Sequence, residues 1–147
     1  ILTCNGKITL SIPVKKVDGN HTALKNIQVE NNQPWQRTHF RTIQSAYKAS
    51  PYFDYLIDDF IHIWEKRYTY LIDVCLDSIQ AVCNVANINI NYSLSDEYIK
   101  TCDTVQDYRN EEDFFIEPLD SYCQVFNDRF QFEPNLSILD KIFNDGK

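Results

Sequence analysis

The sequence predicts an α+β fold: N-terminal strands or a hairpin, then a mainly helical region, in one domain spanning residues 1–147. Three observations predict it. Apolar residues alternate with polar ones at period two before residue 31. They recur at three- and four-residue steps from Trp35 to Ala86. Strands therefore come first and helices follow, the order of α+β proteins. The length suits a single core.

The first strand is Lys7 to Val14. Ile8, Leu10, Ile12 and Val14 share one face, and Pro13 places the strand at an edge because it has no N–H to donate. A polar connection containing Asp18-Gly19 leads to a second short strand over 25–30, with Ile27 and Val29 inward, and the two suggest a loose hairpin. Pro34 then opens a helix running to about Ala49, since Pro is tolerated at the first helical position. Trp35, His39, Ile43 and Ala46 form its apolar face, while Arg37, Arg41, Gln44 and Lys48 lie elsewhere. Ser50-Pro51 repeats the start signal for a helix with Phe53, Ile57, Phe60, Ile61 and Trp64 inward. A third helix spans roughly 68–86 in the phase of Leu71, Cys75, Ile79 and Val82. Residues 88–92 alternate as a short strand, and Ser95 caps a short helix over about 96–101. Residues 103–121 have no period and read as a flexible loop. Pro134-Asn135 opens a last helix from Leu136 to about Phe143, with Gly146 just beyond it as a C-terminal cap.

Composition narrows the function. Lys and Arg number 14 against 21 Asp and Glu, for a net charge of −7, which lacks the basic footprint of a general nucleic-acid binder. No run of 18 apolar residues predicts a membrane span. The five cysteines have no C-x-x-C pair, so they read as buried structural thiols in a reducing cytoplasm. The chain has no Met, even at position 1, which suggests a processed chain or a piece of a longer one.

Chemistry-bearing groups are few. Arg37 and Arg41 stand at i, i+4 near a helix N-terminus, where two guanidiniums could grip a phosphate or carboxylate. His39 sits two residues from Arg37, about 200° around the helix, on the apolar side. The competing reading is a solvated basic face beside a core histidine satisfied by a hydrogen bond. Asp58, His62 and Glu65 share a helical neighbourhood but lack the second His or Cys of a metal motif, so no metal ligand is assigned. The acidic run Glu111-Glu112-Asp113 has no calcium-loop pattern. Aromatic residues make up 14% of the chain; at helical spacing they read as core rather than as sugar-stacking platforms. No Gly-rich phosphate loop or nucleophile elbow names a cofactor or reaction.

Two ordered motifs carry a resemblance. Pro34-Trp35-Gln36-Arg37-Thr38-His39-Phe40-Arg41-Thr42-Ile43-Gln44-Ser45-Ala46-Tyr47, continued by Ser50-Pro51-Tyr52-Phe53-Asp54-Tyr55, resembles the central signature of the WbqC-like family. Tyr122-Cys123-Gln124-Val125-Phe126, followed by Pro134 to Gly146, resembles its C-terminal signature, and Gly6 to Val14 is similar to its strand ending in Ile/Val-Pro-Val. The variant resembles the Bacteroidetes-type branch. The resemblance implies a further N-terminal segment, built around Gln-Pro-x-Tyr-Leu/Phe-Pro and an Asn-Arg pair, that this chain does not contain. The stretch after Asp107-Tyr108-Arg109-Asn110 is shorter and more acidic than the family's loop. Family members occur among genes for O-antigen and other surface polysaccharides, with a glycine or amino-acyl transferase role proposed.

The resemblance therefore implies a cytoplasmic transferase of amino-acyl, glycine or acyl type, acting on an activated sugar or glycan intermediate. His39 would be the general base and Asp140 its catalytic or substrate-holding partner. Trp35, Arg37, Arg41, Tyr47, Gln124 and Asn135 would contact a small-molecule substrate such as a nucleotide-sugar or amino-acyl donor. A non-catalytic ligand-binding or assembly protein of a polysaccharide pathway is the alternative. Cofactor and oligomeric state stay open.

Overall fold

The computed structural model describes residues 1–15, 22–97, 100 and 120–146. Strands β1 (Leu2–Thr3) and β2 (Gly6–Lys7) pair antiparallel, with Leu2 opposite Lys7 and Thr3 opposite Gly6. Helices α1 (Trp35–Tyr47), α2 (Phe53–Glu65), α3 (Leu71–Ala86) and α4 (Ile138–Asp145) follow, so the architecture is α+β.

The hairpin lies earlier than the sequence predicts. Ile8 still exchanges both main-chain bonds with Ile1, residues 9–13 belong to no strand, and Val14 meets Val29 in one isolated bridge. The period-two burial is nonetheless present: Ile8, Leu10 and Ile12 are half-buried while Thr9 and Ser11 are exposed. Alternation reports an extended chain with one covered face, whether or not its N–H groups find a ladder. Residues 24–26 form a 3-10 turn instead of the start of a strand. The 27–30 segment is then held on both sides. Lys15 N donates to Gln28 O at 2.9 Å and Glu30 N to Pro13 O at 2.8 Å. On the other side Val29 N donates to Thr69 O at 3.0 Å and Leu71 N to Ile27 O at 2.9 Å. That second pairing explains why α3 starts at Leu71 and not at Tyr68: Thr69 and Tyr70 pair with 27–29, and Tyr68 O accepts from Asn31 Nδ2 at 2.7 Å.

Helix α1 begins one residue after Pro34 and buries Trp35, His39, Ile43, Ala46 and Tyr47, a stripe at helical spacing. Ser50-Pro51 lies in the turn before α2 rather than capping it. Ser50 Oγ donates to Tyr47 O at 2.5 Å, and Tyr52 N donates to Phe143 O at 3.0 Å. Helix α3 faces the core with Val74, Ala81 and Cys83, whereas Ile79 is exposed. Asp73, Asp77, Gln80 and Asn84 form a narrow polar stripe, so the apolar face is wide and periodicity alone does not say which of its residues pack deepest. Asn87 ends it in the left-handed conformation at φ 54°. Residues 88–92 form no strand; Ile88 and Tyr92 are exposed. Asp96, Glu97 and Lys100 are bends rather than helix, and the rest of the helix predicted there lies outside the described residues, as does nearly all of the 103–121 loop.

Helix α4 is capped at both ends. Ser137 Oγ accepts from Leu139 N, and Gly146 closes the helix at φ 80°. Phe143 is fully buried and its ring meets three others: Phe53 at 5.0 Å, Tyr47 at 5.5 Å and Phe60 at 5.9 Å. This cluster ties α4 to α1 and α2.

Cysteine burial is mixed. Cys83 is buried and Cys75 half-buried, but Cys4 and Cys123 are exposed, contrary to the expectation of uniformly buried thiols. All four are free, and Cys102 lies outside the described residues. Burial pushes the Cys75 thiol up, towards its protonated form.

Candidate active site

The extended 8–12 segment crosses α1, and Ser11 O lies 3.1 Å from Nε2 of His39. A carbonyl can only accept, so Nε2 carries the proton and Nδ1 holds the free lone pair. His39 is 8% exposed, and burial holds its pKa below the usual imidazole value, a shift opposed by the Ser11 bond. The ring is therefore neutral at pH 7. Its edge meets Trp35, with centroids 5.2 Å apart at 72°.

Trp35 and His39 open onto a cleft of about 480 Å³. One wall is the 8–12 segment, the floor comes from Ile43, Phe60, Ile63 and Val74, and residues 135–139 form the opposite wall. The volume falls within the range of small-molecule sites. The lining is mostly apolar, with Thr9, Ser78, Asn135 and Ser137 as polar exceptions. Lys7 also reaches the cleft, but its ammonium is paired with Glu133. Asn135 takes a left-handed conformation at φ 57°, which turns the chain from Pro134 into α4. The Trp35 indole nitrogen is buried with no hydrogen-bond partner among the described residues.

Asp140 belongs to a separate buried group. At 1% exposure its Oδ2 accepts from Tyr122 Oη at 2.7 Å and from Gln124 Nε2 at 2.9 Å. Gln124 also holds Glu133 at both main-chain atoms: Nε2 donates to Glu133 O, and Oε1 accepts from Glu133 N, each at 3.0 Å. Asn144 Nδ2 donates to the Asp140 carbonyl at 2.8 Å. The Tyr47 hydroxyl is buried nearby without a hydrogen bond. Burial, and then the Asp140 charge, push the Tyr47 phenol far up; burial and donation to Asp140 do the same for Tyr122. These phenols stay protonated at any ordinary pH.

The structure thus brings Trp35, His39 and Asn135 to one cleft, and Gln124 and Asp140 to one polar network, with the Tyr47 hydroxyl buried beside it. His39 is oriented by a main-chain carbonyl and not by a carboxylate. Arg37 lines a different groove, with Gln33, Trp64 and Glu65, and Arg41 is exposed; neither forms an ion pair among the described residues. Two participants are absent from the sequence expectations. Ser11 acts through its carbonyl, which no side-chain motif reveals. Tyr122 was legible in principle, because an extended Tyr-x-Gln points both side chains the same way. Among the described residues no three metal-capable side chains converge, and no helix is long and apolar enough to cross a membrane.

No curated protein and no solved structure matches the chain. A family comparison does match, over residues 1–113. That span includes the 8–12 segment, Trp35 and His39 but stops before Gln124, Asn135 and Asp140. It covers more than half of the chain, and the chain belongs to the WbqC-like protein family.

Proposed function

We propose that this protein is a cytoplasmic acyl- or amino-acyl-type transferase that modifies an activated sugar or glycan intermediate of surface-polysaccharide synthesis. One observation carries the reading: a neutral imidazole, its Nε2–H committed to Ser11 O, lines a largely apolar cleft. The polysaccharide setting is supported by the family resemblance, and the cytoplasm by the free cysteines.

His39 Nδ1 takes the proton of the attacking hydroxyl or amine as the new bond to the acyl carbon forms. The donor's acyl–sulfur or acyl–phosphate bond then breaks, and the imidazolium returns the proton to the leaving group. Trp35 and Asn135 contact the substrate in the cleft. Arg37 and Arg41 lie outside it, where they can hold only the part of an anionic donor that projects to solvent. Asp140, with Tyr47 and Gln124 around it, fixes the 133–139 segment that forms one cleft wall.

The test is turnover of acyl donors by wild type and by His39→Gln, with unfolding measured in parallel. Loss of turnover at unchanged stability supports the base role. Equal turnover in the two proteins refutes it. A non-catalytic binding role has one observation in its favour, the absence of a carboxylate behind His39 among the described residues; ligand binding without turnover by wild type would establish it.

A further inference from the structure

The character of the cleft narrows what can enter it. Ile43, Phe60, Ile63 and Val74, each at most 6% exposed, form its floor, and Val82 is half-buried on its α3 side. No unpaired cationic side chain among the described residues lines it, and the α4 N-terminus that borders it already has Leu139 N capped by Ser137 Oγ. Lys7 is neutralised by Glu133, and both arginines of α1 lie elsewhere. A nucleotide's diphosphate would therefore be desolvated with no cationic side chain to offset it. A glycyl group, which carries an ammonium and almost no apolar surface, would leave the cleft unfilled and its own charge unpaired.

We propose that the cleft beside His39 binds the hydrocarbon chain of an acyl donor, so that the transferred group is a multi-carbon acyl chain and not glycine. This rests on the transferase reading above and specifies its substrate class. The largely apolar lining, its one lysine paired with Glu133, complements an uncharged chain, and the carbonyl end of such a chain would come to rest at the Trp35–His39 edge. Val82 and Ile43 then set the chain length accepted.

The experiment uses acyl thioesters of N-acetylcysteamine, from acetyl to decanoyl, titrated calorimetrically into the protein. Burial of each added methylene contributes about 0.8 kcal/mol, so Kd falls roughly fourfold per carbon until the cleft is full. Val82→Phe, which narrows the cleft, shifts the preferred chain shorter; Ile43→Val, a smaller change that keeps the fold even where the larger one does not, shifts it longer. Equal affinity for acetyl and octanoyl thioesters overturns the proposal, as does tighter binding of a glycyl thioester, or no change of preference in Ile43→Val. The length dependence is independent of chemistry. If it holds while His39→Gln turns over normally, the base assignment fails and the acyl site stands.

Discussion

Asp140 lends itself to a quantitative test, because its carboxylate is 1% exposed and its two donors come from a segment remote in sequence. Asp140→Ala removes both hydrogen bonds to a charged acceptor. Such bonds contribute about 1.5–3 kcal/mol each, so their joint loss starts near 3 kcal/mol or more. Two features reduce it. Gln124 Nε2 keeps Glu133 O as a second acceptor, and the half-buried Tyr122 hydroxyl can turn towards water. Deleting a buried carboxylate also relieves its desolvation. The net expectation is a loss of about 2–4 kcal/mol, a large share of a typical domain's stability. Urea unfolding followed by circular dichroism measures it as a lower midpoint at unchanged slope. Because Asp140 and Gln124 act together, the double variant with Gln124→Ala should lose less than the sum of the singles, with coupling of about 0.5–3 kcal/mol. A loss under about 1 kcal/mol for Asp140→Ala, or strict additivity, would refute the idea that this network anchors the cleft wall.

Other outcomes follow from the same contacts. His39 has a folded-state pKa below its unfolded value, so its contribution to stability is present above pH 6.5 and is lost as pH falls through the folded value. The urea midpoint of wild type should therefore drop more steeply between pH 7.5 and 5 than that of His39→Gln; parallel slopes would contradict the burial argument. Phe143→Ala removes the ring shared by Tyr47, Phe53 and Phe60 and should cost about 3–5 kcal/mol in the same assay. Gly146→Ala forces a side chain into φ 80° and brings its Cβ to 2.9 Å from the Tyr52 ring. It should cost about 1–2 kcal/mol from the backbone alone, read as a lower melting temperature.

The helices were legible in the sequence where one face was apolar and the other was not. α1 is the clear case: Trp35, His39, Ile43 and Ala46 stand inward as their spacing requires. α3 was legible as a helix with a polar stripe of Asp73, Asp77, Gln80 and Asn84, but its apolar face is wide and only packing selects Val74 and Ala81 over the exposed Ile79. The strands were harder. Ile8, Leu10 and Ile12 alternate because one face of the extended chain is covered, and that pattern cannot tell whether the main chain is paired. For the site, residue type marked His39 and Asp140 but not their partners. His39 turned out to be held by a main-chain carbonyl from residues 8–12, and Asp140 by Tyr122 and Gln124. Such partnerships join segments far apart in the chain, and only the fold brings them together.

The reading proposed above places substrate in the cleft beside His39. Methyl-resolved NMR of the protein titrated with octanoyl-N-acetylcysteamine tests it directly. Shifts are expected at Ile43, Val74, Val82 and Leu139, which line the cleft, and none at the exposed Leu24 or Ile88. Shifts confined to those outer residues, or no shifts in the cleft at saturating ligand, would contradict it.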